Sequence, residues 1–236
     1  MNSTLGIRDF TRFYAPLIAT SLLLTATNPL LAAALARTSD PATALSGYGV
    51  AFALTGVLYA PLLVIQQIAA ARLLSAGDIG PVRRLAFASG VAMSGLAAAI
   101  AYTPMGVVVF RELVGVQDAI LDEAISAMTA LWLVPVLTGV RALHQGRLVA
   151  GHRTKPIAVA TGGRTVVLAT VAFALTTTPA GAWLGAVAFT VGLAFEAMMV
   201  TLAPASLPTF AQVDEAEEKG EDRLLSFSTP LVLNVV

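Results

Sequence analysis

Residues 132–170 read WLVPVLTGVRALHQGRLVAGHRTKPIAVATGGRTVVLAT, from Trp132 to Thr170. Two apolar stretches flank the short basic turn Gly151-His152-Arg153-Thr154-Lys155-Pro156. The first carries Arg141, His144, Gln145 and Arg147 in one polar seam, and the second carries Arg164 well inside an apolar run. A charge inside an apolar helix is rare in lipid and marks a pathway or a pairing site. The stretch therefore reads as a helical hairpin in a membrane, held by a bundle made from the rest of the chain.

Composition agrees. The chain has 236 residues, 57% hydrophobic and 12% charged, with a mean hydropathy of +0.81. Soluble domains carry about 25% charged residues. The formal net charge of +0 gives no electrostatic footprint for nucleic acid. The absence of cysteine excludes disulfides and thiolate metal sites.

A bilayer core about 30 Å thick needs about 20 apolar residues per helix. Six stretches meet that length: 13–35, 43–71, 82–103, 124–150, 156–177 and 181–203. The first exceeds the roughly 7–15 apolar residues of a secretory signal, and more spans follow it. Pro16, Pro41, Pro81, Pro156 and Pro179 lie at or near first turns, where a missing N–H costs nothing. Asp40 and Thr154 stand where N-caps are expected. The long second span, with Pro61 inside it, is expected to tilt or kink. Within residues 104–124 the apolar part, interrupted by Arg111 and Glu112, is too short to span; the segment reads as the outer end of the third span, an interfacial turn and an amphipathic entry to the fourth. Gly181 and Gly185 have the small-xxx-small spacing that lets membrane helices approach.

With the N-terminus in the cytoplasm, the inner segments hold Arg8, Arg12, Arg72, Arg83, Arg84, Arg147, Arg153, Lys155, Lys219 and Arg223. The outer segments hold only Arg37 and Arg111. That asymmetry places both ends of the lobe inside the cell. After the sixth span, residues 207–224 form an acidic linker, and 225–236 begin a new apolar run. Phe13-Tyr14-Ala15-Pro16-Leu17-Ile18 and Phe227-Ser228-Thr229-Pro230-Leu231-Val232 share the pattern Phe-x-x-Pro-Leu-aliphatic, each with an arginine shortly upstream. Residues 1–206 then make one six-helix lobe, and 225–236 the start of a second, cut short.

Three stretches carry a family resemblance: Ile65–Leu85, Val114–Ala124 and Arg141–Pro156. In them the chain resembles the multidrug and toxic-compound extrusion transporters and their wider flippase superfamily. Ser46-Gly-Tyr-Gly-Val50 and Val140-Arg141-Ala142 lean towards the progressive ankylosis branch, which exports organic anions. The resemblance implies an all-α transmembrane bundle, one lobe of a twelve-helix transporter in the cell membrane. It implies efflux or antiport of a small organic substrate by alternating access, which requires a second lobe or a second copy. It also implies a coupling ion, sodium or proton. The first-helix carboxylate that many cation-coupled members use is absent here, with Asn28-Pro29, Thr25 and Thr27 in its place. A lipid-linked precursor flippase and a non-transporting assembly subunit remain open beside the transporter.

At about 1.5 Å per residue, Arg141 lies about 15 Å from the basic turn, Arg164 about 12 Å, and Glu196 about 12–18 Å from Pro204 and Pro208. One slab holds all three, so pairing is expected, either around a substrate pathway or simply to fix helix packing. Gln145, four residues after Arg141, shares its helix face and reads as a pathway group or an inter-helix hydrogen-bond donor. His144, Gln66 and Asn28 complete the candidate pathway. His144 is a titratable group or a packing residue, Gln66 lies near the inner end of the second helix, and Asn28 sits at a proline break that frees a backbone carbonyl. Enzyme motifs are missing: there is no His-Glu-x-x-His, no Gly-x-Ser-x-Gly and no carboxylate pair within a span. No cofactor or metal is expected.

Overall fold

The computed structural model describes residues 25–76, 79–151 and 153–204. All secondary structure among them is helical, and the fold is an all-α bundle. Lipid leaves no other open solution, because each backbone polar group must find its partner within its own segment. Residues 25–35 form α1, the C-terminal part of the first expected span. Then come α2 (Pro41–Leu63), α3 (Ile65–Ala76), α4 (Gly80–Tyr102), a short α5 (Met105–Val107), α6 (Asp118–Leu131), α7 (Val134–Ala150), α8 (Lys155–Leu175) and α9 (Gly181–Leu202). Taken across their breaks, these give five helices long and apolar enough to cross a membrane: 41–73, 80–102, 118–150, 155–175 and 181–202. The protein is membrane-embedded and multi-pass. The remainder of the first span, the acidic linker and the repeat at 225–236 lie outside the described residues.

Two spans are broken. The kink expected near Pro61 is a break at Val64, between α2 and α3. The fourth span, expected as one helix, is divided at Trp132–Leu133 into α6 and α7, with Pro135 in the first turn of α7. Proline has no N–H and its ring crowds the preceding turn, so Pro135 cannot bond back to the Leu131 carbonyl and α6 does not continue into α7; α2 runs on through Pro61 for two residues before its break. Residues 104–117 also depart from expectation. They are not a plain turn: α5 continues into a π-helical turn, Val108–Leu113, with Phe110 wholly buried beneath it. The chain then turns at Gly115 (φ 78°) and enters α6, with Arg111 paired to Asp118 at 2.5 Å.

Helix α9 is the most buried of the spans and packs on α2, α6, α7 and α8. Its glycines do not form one seam, as their spacing suggested. Gly181 lies against Glu123, Gly185 against Tyr48 and Leu35, and Gly192 against Leu168 and the Arg164 backbone. Each lets a different neighbour approach. Of the expected caps, Asp40 accepts from the Thr43 amide at 3.3 Å, whereas Thr154 makes no side-chain cap to α8.

Candidate functional site

The site is built where α7, α8 and α9 meet. On α7, Arg141 and Gln145 are one turn apart and share a face. On α8, Thr161 and Arg164 are three residues apart and do the same. Glu196 on α9 faces both pairs and is fully buried, with 0% exposure.

Glu196 collects four donors. Its Oε2 accepts from Arg141 Nη1 at 3.2 Å and from Arg164 Nη1 at 3.0 Å. Its Oε1 accepts from Thr161 Oγ1 at 3.0 Å and from Gln145 Nε2 at 3.2 Å. A carboxylate offers about four lone-pair positions, so Glu196 is saturated. Charge-assisted hydrogen bonds of this kind are roughly twice as strong as neutral ones. The formal charge does not balance, however: two guanidiniums face one carboxylate. Both arginines share Glu196 through the same oxygen, rather than one being neutralised and the other standing apart.

Three buried polar atoms here and nearby lack a hydrogen-bond partner: Arg141 Nε, Arg164 Nε and Tyr48 Oη. Arg164 also lies over the Phe189 ring, 4.8 Å from its centroid. Phe189 meets Phe52 edge-on at 4.8 Å, and Phe52 stacks on Tyr48 at 5.5 Å. An aromatic column thus runs from the charged cluster along α2 and α9. The ring quadrupole stabilises the Arg164 cation without neutralising it.

The structure does not gather every expected residue. His144 is half-buried on α7, with Arg147 Nη1 3.3 Å from its Nδ1, and it does not reach Glu196. With the guanidinium donating, the imidazole proton sits on Nε2. Gln66 is partly buried on α3 and gives its backbone carbonyl to the close contact with Gly146, not its side chain to the cluster. Asn28 is exposed on α1 and joins no part of the network. Thr161, Phe189 and Tyr48 were not singled out as site residues from sequence. The available cues were helical spacing alone: Thr161 one turn before Arg164, and Tyr48 one turn before Phe52.

Among the described residues no group of His, Asp and Glu is placed to hold a metal ion. No family model, no curated protein and no solved structure matches the chain, so its chemistry is read from its own residues.

Proposed function

We propose that this chain is a transporting lobe in the cell membrane, with its N-terminus in the cytoplasm, that moves a small organic, anionic compound by alternating access. One observation carries the reading: a saturated carboxylate shared by two arginines, buried within membrane helices. Charge at that depth is expensive and is rarely placed there except on a pathway or at a pairing site. The sequence resemblance to the multidrug and toxic-compound extrusion transporters supports the same reading. So does the distribution of basic residues, with Arg72, Arg83, Arg84, Arg147, Arg153 and Lys155 all near one end of the bundle. Alternating access requires an apposed second lobe, from a second copy of this chain or from another. Coupling to sodium or protons belongs to the resemblance, not to any group in the cluster.

The saturation of Glu196 favours a second reading, in which the cluster pins α7, α8 and α9 in a membrane assembly subunit that transports nothing. Flux measurements in proteoliposomes decide. Loaded with a mixture of radiolabelled small organic acids, vesicles holding the wild-type protein should exchange at least one faster than empty vesicles. Thr161→Val, which removes a Glu196 partner but no charge, should alter that flux while leaving a monodisperse protein. Absence of flux for every acid tested, from a correctly folded protein, would leave the assembly reading. A reporter fused after Val213 should be cytoplasmic; an external signal would invert the proposed orientation.

A further inference from the structure

We propose that Arg141 and Arg164 together bind one monovalent oxyanion, such as a carboxylate group, on the guanidinium edges that Glu196 leaves free. The inference deepens the transport reading and rests on it for its physiological meaning, but its physical basis is independent.

The first argument is charge. The cluster holds two arginines and one carboxylate. The six apolar stretches contain no acidic residue besides Glu196: Asp118, Asp122 and Glu123 precede the fourth, at the end away from the cluster. Among the described residues only Glu196 is paired with the two arginines, which leaves one positive charge over inside the bundle. An uncompensated buried charge is destabilising by several kcal/mol. One monovalent anion brings the sum to zero.

The second argument is geometry. Both arginines reach Glu196 through Nη1. Nε and Nη2 form the opposite, side-on edge of a guanidinium, the one suited to bidentate capture of a carboxylate. In both residues Nε is enclosed and has no hydrogen-bond partner. Buried donors are normally satisfied, and each exception calls for an explanation. Two such donors, on two arginines that already share one oxygen, have a common explanation in one shared ligand. The Arg141 side chain retains 15% exposure against 7% for Arg164 and 1% for Glu196, which makes Arg141 the side of entry. The Phe189–Phe52–Tyr48 column runs on from Arg164 and ends at the unpartnered Tyr48 hydroxyl.

The test uses the full chain in nanodiscs of zwitterionic lipid, with acetate and chloride as probes, read by calorimetric titration and by the unfolding midpoint at constant ionic strength. Acetate should bind saturably and raise the midpoint. Arg164→Lys keeps the charge but loses the side-on edge, and should weaken acetate on the order of tenfold or more. Arg141→Gln leaves one arginine with one carboxylate; it should unfold no earlier than wild type and lose the acetate response. Three results would each overturn the proposal: no saturable acetate effect on the wild type, chloride binding as tightly as acetate, or Arg141→Gln binding acetate like the wild type. Acetate binding without flux would instead count against the transport reading alone. Flux without any anion effect would count against this inference alone.

Discussion

Glu123 Oε2 accepts the backbone amide of Ala182 at 2.5 Å, so a carboxylate on α6 caps the N-terminus of α9. The first amides of a helix have no partner within it, and its N-terminal dipole favours a negative charge. Gly181 makes the contact possible. Its φ is 49°, in the left-handed region, and a Cβ there would fall 2.4 Å from both Glu123 carboxylate oxygens. Gly181→Ala should destabilise the protein by about 1–3 kcal/mol, through backbone strain and displacement of the cap. Glu123→Gln keeps the shape but loses the charge, and should cost about 1 kcal/mol. Unfolding midpoints in one detergent should rank wild type above Glu123→Gln and Glu123→Gln above Gly181→Ala.

The break between α6 and α7 is satisfied from outside the span. The freed carbonyl of Thr129 accepts the Tyr102 hydroxyl at 2.9 Å, and that of Ala130 accepts Thr190 Oγ1 at 2.9 Å. The Val136 amide, early in α7, donates to Ser94 Oγ at 3.0 Å. Broken helices persist at membrane depth because neighbours take up the freed backbone groups in this way. Ser94→Ala and Thr190→Val each strand one backbone group and should destabilise by about 1–3 kcal/mol. Hydrogen exchange should accelerate at residues 132–137 in both variants more than at the ends of α7. Uniform exchange across α7 would show that the break does not depend on these two side chains.

The apolar runs and the depth arithmetic made much of this legible in sequence. Helical rise is fixed, so counting residues from the basic turn and from Pro204 put Arg141, Arg164 and Glu196 at one level, and an i, i+4 step added Gln145. Counting gives depth but not direction around the helix axis. A proline break at Asn28, a titratable ring at His144 and a place near a helix end at Gln66 give no direction either, and the packing turns all three elsewhere. Thr161 carries no signal of its own, because a threonine in an apolar helix commonly bonds the carbonyl one turn back, as Thr165 does to Thr161 O at 3.1 Å. Pro135 marked the second break as plainly as Pro61 marked the first, but it sits near the middle of a run that length alone made continuous. Trans-helix caps such as Glu123 on Ala182 have no local signal, because their partners are 59 residues apart.

Close packing of α7 against α3 depends on Gly146. A Cβ there would lie 2.5 Å from the Gln66 carbonyl oxygen and 2.7 Å from Ala69 Cβ. Both atoms belong to the backbone or to its first side-chain carbon, so the helices themselves must separate. Gly146→Ala should cost about 1–3 kcal/mol by overpacking. Gly95 on α4 is the control, because a Cβ there meets nothing within 4 Å. Gly95→Ala should be neutral or stabilise by about 0.5–1 kcal/mol, since alanine loses less freedom in a helix. Equal midpoints for the two variants would contradict the packing described here.

Asp40 predicts a pH effect at the start of α2. The Thr43 hydroxyl at 2.6 Å and the Thr43 amide at 3.3 Å both donate to its carboxylate, and they hold its pKa below the ordinary 3.8. A depressed carboxylate stabilises the fold above its unfolded value, and that contribution is lost as pH falls through the lower, folded one. Exchange at the Thr43 and Ala44 amides, corrected for the intrinsic pH dependence, should therefore be flat from neutral pH to about 5. It should accelerate below the ordinary carboxylate value. In Asp40→Asn, whose cap does not titrate, that acid step should vanish.

Glu196 supplies the largest expected effect. Removing its charge leaves two guanidiniums facing each other with no anion between them. Loss of one partner from a buried ion pair typically costs about 3–5 kcal/mol, because the remaining charge stays buried. Glu196→Gln should lose stability in that range even though its amide can still accept two of the four hydrogen bonds. Arg141→Gln in the same background removes one of the facing cations and should restore part of the loss, with a coupling of about 0.5–3 kcal/mol. The sign is the diagnostic. If the cluster were a set of independent hydrogen bonds, each further deletion would destabilise. If its net charge governs, the double variant is more stable than Glu196→Gln alone.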